Sequence, residues 1–167
     1  MSSPSAKAVI SDAQQLRDCM GKFATGITVV TCSNADGSPR GITANSFSSV
    51  SLEPPLVLWN IAKVSNSLPS FLNAEHFAIN ILAGDQQELS SHFARTDHTL
   101  FDSVEFTMTD NGVPILPNTL ACLECRTYQV HDCGDHFIIV GEVESFRSDD
   151  RTPLLFFGGQ YAGLATE

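Results

Sequence analysis

Three stretches of this chain carry side chains that could do chemistry. Cys122-Leu123-Glu124-Cys125 has the spacing of thiol pairs that exchange electrons or hold zinc. In a strand, residues three apart point to opposite faces, so the two sulfurs cannot meet without a bulge and core packing is the favoured role. His131-Asp132-Cys133-Gly134-Asp135-His136 gathers nitrogen, sulfur and oxygen donors at one turn. No second Cys/His cluster completes a zinc set, and a hairpin turned by Gly134 accounts for the same residues without a metal. The third stretch, Thr43-Ala44-Asn45-Ser46-Phe47-Ser48-Ser49-Val50-Ser51, is a run of small hydroxyl and amide residues where a strand's apolar alternation is expected. Small residues let a ligand approach the backbone, whose N–H and C=O groups suit the carbonyl and imide edge of a planar ring such as isoalloxazine. A polar loop with Ser and Thr turns fits that composition equally well.

Several chemistries are excluded. Gly-x-Gly-x-x-Gly, the P-loop, Gly-x-Ser-x-Gly and His-Glu-x-x-His are all missing from the sequence, which speaks against a Rossmann dehydrogenase; any nicotinamide cofactor lies on another kind of surface. Nine Lys and Arg against nineteen Asp and Glu give a formal net charge of -10, so neither nucleic acid nor an anionic membrane is an expected partner. A phosphate would be held locally, by backbone N–H groups and hydroxyls as much as by cations. Five cysteines, an odd number, and a start without a basic-then-apolar leader lead us to expect a reducing, cytoplasmic compartment. No apolar run reaches the roughly 20 residues that span a bilayer.

The elements that must position these residues are legible in outline. A chain of 167 residues, 43% hydrophobic, is expected to form one domain over residues 11–167, with residues 1–10 a flexible arm. Ser11-Asp12-Ala13-Gln14 has the form of a capping box and opens a helix with Leu16, Met20 and Phe23 at helical spacing, expected to end near Gly26. Residues 27–32 are rich in β-branched types and read as a strand; turn formers at 34–39 join it to residues 40–46 as a hairpin. Residues 56–61, after Pro54-Pro55, form a nearly continuous apolar run and read as a buried strand. A short helix follows Ser67-Leu68-Pro69, a strand covers 76–82, and Asp85-Gln86-Gln87-Glu88 opens a capped helix with Leu89 and Phe93 on one face. Asn111-Gly112 marks a turn, 119–130 and 136–146 are long strands, and 154–157 is a short one before Gly158-Gly159. Connections too short for parallel crossovers predict a mainly β fold, an antiparallel barrel with two or three covering helices.

Ordered blocks run through nearly the whole chain: Gly21-Lys22-Phe23-Ala24-Thr25-Gly26-Ile27-Thr28-Val29-Val30-Thr31, then Arg40-Gly41-Ile42-Thr43-Ala44-Asn45-Ser46-Phe47, then Ser49-Val50-Ser51-Leu52-Glu53-Pro54-Pro55-Leu56-Val57. Phe77-Ala78-Ile79-Asn80-Ile81-Leu82, His92-Phe93-Ala94, Leu123-Glu124-Cys125, Gly134-Asp135-His136, Gly141-Glu142-Val143 and Gly158-Gly159-Gln160-Tyr161 continue them in register. Over about residues 16–161 the chain resembles the flavin reductase-like family, the short-chain NAD(P)H:flavin oxidoreductases of two-component monooxygenases. The resemblance implies the FMN-binding split barrel, a homodimer, and a separate flavin-dependent monooxygenase that receives reduced FMN or FAD. It implies NADH or NADPH as hydride donor. It places Thr43, Ala44, Asn45 and Ser46 along the isoalloxazine edge, and Asn60, Ser65, Ser67 and Lys63 by the ribityl chain and phosphate. Phe93 and Arg95 fall near the flavin tail; His136, Gly159 and Tyr161 fall near the nicotinamide, with His136 orienting that ring. Trp59 stands where many relatives carry a smaller residue, and core packing is its preferred role.

Two rival readings remain at this point. An FMN-binding electron carrier on the same barrel would retain flavin and turn over NAD(P)H inefficiently. A metal or thiol redox protein would use Cys122, Cys125, Cys133, His131 and His136.

Overall fold

A computed structural model describes residues 12–95 and 100–165; the arm expected at 1–10 and the capping residue Ser11 lie outside the described residues. In chain order the elements are α1 (Ala13–Met20), β1 (Thr25–Gly26), β2 (Thr28–Ser33), β3 (Pro39–Ala44), β4 (Ser48–Leu52), β5 (Pro55–Ala62), α2 (Leu68–Asn73), β6 (His76–Ile81) and α3 (Gln87–Phe93). The short β7 (Thr107–Met108) and β8 (Pro114–Ile115) precede the long β9 (Ala121–Cys133) and β10 (His136–Ser148), and β11 (Leu155–Phe157) and β12 (Gln160–Ala162) close the order.

Seven strands form one antiparallel sheet in the order β3-β2-β6-β9-β10-β5-β4. Its two edge strands, β3 and β4, are consecutive in the chain and joined by residues 45–47 alone. Three residues reach about 10 Å at most, so the sheet must curl until its edges nearly meet. They do not pair with each other, which makes this the split barrel that the sequence led us to expect. A second sheet, β1-β11-β12, lies beside it.

The core explains the strand patterns. In β2 both faces are buried: Val30 joins a cluster with Trp59, Phe71, Phe77 and Ile139, while Val29 joins one with Leu82, Phe93, Leu116 and Leu154. Trp59 is fully buried, edge-on to Phe71 at 4.8 Å between ring centroids, in the packing role expected for it. Gly141 is required where it stands, because a Cβ there would meet the Phe77 ring and lie 2.9 Å from Cys125 Cβ. Asn80, fully buried, spends its amide on the Val29 carbonyl (3.0 Å) and the Thr31 hydroxyl (3.1 Å), and accepts from the Leu116 N–H (2.9 Å). A buried amide satisfied on both sides ties the β8 segment to the sheet.

Several local expectations are corrected. The helix α1 stops at Met20, not near Gly26, and Asp12 caps it, accepting from the Gln14 and Gln15 N–H groups. At α3 no side chain caps the start; Gln86 reaches back to the Ala83 N–H, and Asp85 pairs with Arg151. Five strands, β1, β4, β7, β8 and β12, had no counterpart in the sequence reading.

Candidate functional site

The split in the barrel opens a hollow of about 490 Å³. Residues 45–47 bridge it outside either ladder, and Ser46 staples the crossing: its hydroxyl donates to the Asn60 carbonyl at 3.1 Å and accepts from the Asn60 N–H at 2.9 Å. The hydroxyl of Thr28 holds the end of β3 by donating to the Ala44 carbonyl at 2.7 Å. Thr43, Ala44, Asn45 and Ser46 all line the hollow.

Strand register supplies the rest of the wall. Along β5 and β10 the pairs His136 with Ala62 and Ile138 with Asn60 lie directly opposite one another, and so share a face. The alternate residues Trp59, Ile61 and Ile139 turn into the core. Across the β9–β10 hairpin Cys133 pairs with His136, which brings that thiol to the same wall. Gly134 makes this hairpin possible at φ 66°, where a side chain is strained.

Two polar features stand out on this wall. Asn60 Oδ1 is buried and has no hydrogen-bond partner among the described residues. His136 is held by its neighbour, with Asp135 Oδ1 2.6 Å from Nδ1, and that contact pulls the Asp135 carboxyl below the usual carboxylate range. The backbone N–H of Lys63 donates to the Asp135 carbonyl at 2.9 Å, which docks the hairpin on the end of β5.

A second hollow of about 190 Å³ shares Thr43, Ala44 and Asn45 with the first and is closed by Ser90, Phe156 and Tyr161. There the Thr43 hydroxyl donates to the Ser90 carbonyl at 2.7 Å, and the Tyr161 hydroxyl lies 3.0 Å from Ser90 Oγ. A third, of about 760 Å³, runs from Asn45 past Gly159 to α1. Asn45 therefore sits where all three meet.

Of the residues expected from sequence, Thr43, Ala44, Asn45, Ser46, Asn60, Ser65 and His136 line the first hollow, Tyr161 the second and Gly159 the third. Others are placed elsewhere. Phe93 is fully buried in the second core cluster, its ring over Gly41, where a Cβ would lie 2.7 Å from it. Lys63 pairs with Asp132 at 2.6 Å over the Phe137 ring. Ser67 begins α2, its N–H donating to Ser65 Oγ at 3.2 Å. Arg95 lies on His92 Nδ1 at 2.6 Å, beside a shallow hollow of its own with Glu88 and Ser91. Ile42, Ala62, Ile138 and Ser90 line the site without having been singled out. Cross-strand register places Ile42, Ala62 and Ile138, while Ser90 comes from α3.

The thiols of the Cys-x-x-Cys pair separate as strand geometry requires. Cys125 enters the first core cluster and Cys122 a different one. Burial pushes the Cys125 thiol up to about 12 and the Cys122 thiol up to about 11, with Cys32 also pushed up to about 12. Buried neutral thiols are inert toward oxidants and metals. Because their folded-state pKa values are raised, their contribution to stability is complete below the unfolded thiol range near 8.5. It is lost as pH climbs toward the folded values, by ~1.4 kcal/mol per pH unit for each thiol. Urea midpoints should therefore decline above about pH 8.5, and Cys125→Ala should flatten that decline. An aromatic disulfide reagent should label the exposed Cys19 and Cys133 in the native protein and the other three only after unfolding; rapid native labelling of all five would contradict the burial.

Comparison with known proteins agrees with this architecture. Residues 20–165 match the model of the flavin reductase like domain. The chain is 49% identical to the FMN reductase (NADH) SmoA of Agrobacterium fabrum, over 93% of this chain and 88% of that protein. It is 44% identical to the reductase component of the flavin-dependent trigonelline monooxygenase of Acinetobacter baylyi, over 91% of this chain but about half (49%) of that relative's length. The Streptomyces globisporus NADH:FAD oxidoreductase SgcE6, solved in complex with NAD and FAD fragments, superposes with a TM-score of 0.87 at 38% identity, over 92% of this chain and 93% of that one. With a family match spanning nearly the whole chain and a split barrel opening onto the matched residues, the protein belongs to the flavin reductase like domain family.

Proposed function

We propose that this chain is an NAD(P)H:flavin oxidoreductase that delivers reduced FMN or FAD to a separate monooxygenase. The observation that carries the reading is the hollow at the barrel split, where a planar edge can meet the backbone of residues 43–46 and where Asn60 holds a buried acceptor with no partner among the described residues. Family membership supports it.

The residues present fit a flavin. The small side chains of Ala44, Ser46 and Ala62 leave room for a flat ring, and its polar edge meets main-chain groups. Asn60 and Ser65 are suited to ribityl hydroxyls, which would supply the donor that Asn60 Oδ1 lacks. The hydroxyls of Thr43 and Ser46 serve the fold instead, bound to Ser90 and Asn60, so flavin recognition there falls to the backbone and to Asn45. His136, fixed by Asp135, and Tyr161, with Gly159 beyond, flank the place left for the nicotinamide ring. A flavin held by residues 43–46, Asn60 and Ser65 would supply the hydride acceptor, at N5, for the nicotinamide C4 hydride. The chain's own part is positioning, since near-attack geometry needs the reacting atoms roughly 3–3.5 Å apart. His136 orients the donor and moves no proton.

The same reading includes pairing of two chains, supported by large apolar side chains left in solvent, among them Leu52, Val64 and Phe146. Light scattering should give about twice the 18.0 kDa chain mass; a monomer at assay concentration would remove the dimer from the proposal. The activity is tested by following NADH and NADPH oxidation with FMN, with FAD and without flavin. Consumption only with flavin present is expected, and none with either flavin would turn the reading toward an electron carrier.

Asn60 separates ligand binding from folding. Its side-chain Oδ1 has no hydrogen-bond partner among the described residues, so Asn60→Ala should leave the melting temperature of the flavin-free protein unchanged or slightly raised. The Kd for FMN should rise about 5- to 10-fold, the worth of one hydrogen bond. A variant that melts early and binds FMN normally would make Asn60 structural.

A further inference from the structure

A hollow of about 610 Å³ shares no lining residue with the three that meet at Asn45. Strand β2 separates it from the reaction site: Thr28 holds the Ala44 carbonyl at one end, and Ser33 lines this hollow at the other, ~17 Å along the strand. Its walls are the β2–β3 turn with Asn34, the α2–β6 segment with Asn73, Glu75 and His76, and the β7–β8 turn with Asn111. The volume falls within the ~300–1,000 Å³ of small-ligand clefts.

The polar side chains on these walls have their donors engaged by the fold and their acceptors left open. Asn34 Nδ2 donates to Ser38 Oγ at 2.9 Å, whose own proton goes to Asp36 at 2.6 Å. Asn73 Nδ2 donates to the Pro69 carbonyl at 2.7 Å, and Asn111 Nδ2 reaches Glu144 Oε2 at 3.5 Å. A carbonyl and a carboxylate can only accept, and the Ser38 proton is committed, so each amide is fixed with its nitrogen on the fold. The amide oxygens have no partner among the described residues. Ser33 likewise gives its proton to the Gly112 carbonyl at 2.6 Å. His76 turns Nε2 to Glu144 Oε2 at 3.5 Å, and a proton held on that contact leaves Nδ1 to accept. The Glu75 carboxylate makes no hydrogen bond or ion pair among the described residues. Among them no Lys or Arg lines the hollow, and Arg126, opposite His76 in register, is taken by Glu142 and Glu144.

We propose that this hollow binds a small alkylguanidinium, its planar fork on the Glu75 carboxylate and on the amide oxygens of Asn34, Asn73 and Asn111. Acceptors gathered around one negative charge select a cation that is all donor. Because they stand on separate walls, they suit a flat group with N–H donors in several fixed directions better than a compact ammonium. A hard metal ion fits poorly, since such ions gather about six to eight oxygens, commonly from several carboxylates, and Glu75 is the one carboxylate among the lining residues. The chain's net charge of -10 draws cations toward its surface. The site needs neither flavin nor turnover, so it stands or falls apart from the reductase reading.

The test is a calorimetric titration of the full chain, without flavin, using n-butylguanidinium and n-butylammonium, which have the same charge and the same alkyl chain. Saturable binding of the guanidinium is expected, with the ammonium weaker by about fivefold or more. Glu75→Gln keeps the shape and removes the charge. Since Glu75 has no side-chain partner among the described residues, that variant should melt as the parent does. It should bind the guanidinium about tenfold or more weakly, as expected for loss of a charge-assisted contact. In NMR spectra of the parent, the side-chain amide signals of Asn34, Asn73 and Asn111 should move as the guanidinium is added. No saturable binding by the parent, equal binding by the Glu75→Gln variant, equal binding of the ammonium, or shifts confined to residues outside this hollow would each overturn the proposal. If the parent oxidises no NAD(P)H yet binds the guanidinium through Glu75, the reductase reading fails while this site stands.

Discussion

Replacing Ala44 with tryptophan is expected to raise the Kd for FMN by about a hundredfold, equal to ~2.7 kcal/mol, in a protein that still folds. Ala44 is the shared wall of the first and second hollows, so an indole in its place fills the space that a planar ring would take. The fold has reason to tolerate the change. Ala44 is only half-buried and ends β3, and its pairing with Thr28 runs through the backbone, including the Thr28 hydroxyl on the Ala44 carbonyl. Fluorescence titration with FMN beside a thermal melt checks both halves. A folded variant that binds FMN as tightly as the parent would displace the flavin from this hollow.

The second large effect is expected at His136. If this ring orients the nicotinamide, His136→Ala should lower kcat/KM for the donor by about 1–3 kcal/mol of transition-state stabilisation, roughly 5- to 150-fold. A contact kept in both ground and transition states appears in KM, and one that aligns the ring only for transfer appears in kcat; both should move. Flavin affinity should change little, because the flavin-edge groups of residues 43–46 are untouched. The Asp135 carboxyl, now held low by the imidazole, should rise toward its ordinary range in the variant. Steady-state kinetics at saturating FMN decide the matter: normal kcat/KM with both NADH and NADPH would take His136 out of the mechanism. A metal-holding hairpin would instead lose an ion and stability on the same change.

Local patterns carried much of the fold. β-Branched runs and turn residues marked most of the sheet, because strand propensity and turn chemistry act over a few residues. They failed where a tertiary partner overrode them. Residues 48–52 are polar and mostly exposed, yet form β4 because β5 offers them a ladder. Residues 160–162 form β12 because Gly158 and Gly159, at φ 58° and 79°, fold them back on β11. The apolar run at 56–61 reads as buried on both faces, but alternate residues Leu56, Leu58 and Asn60 are only half-buried, turned toward the barrel's open side.

The sequence by itself determined the strand-rich class, the unusual run of small polar residues at 43–46, and the separation of Cys122 from Cys125. Each of these follows from residue type and a period of two along a strand. Which residues share a wall with that stretch was decided only by the tertiary structure. Asn60 and His136 meet across the ladder between β5 and β10, strands far apart in the chain, and Cys133 joins them across the β9–β10 hairpin; a register shifted by one residue between β5 and β10 would have turned Asn60 away from the face His136 lines. The removal of Phe93 to the core was settled likewise, by the space above Gly41. So was the meeting of three hollows at Asn45, which exists because β3 and β4 close the two edges of one curled sheet.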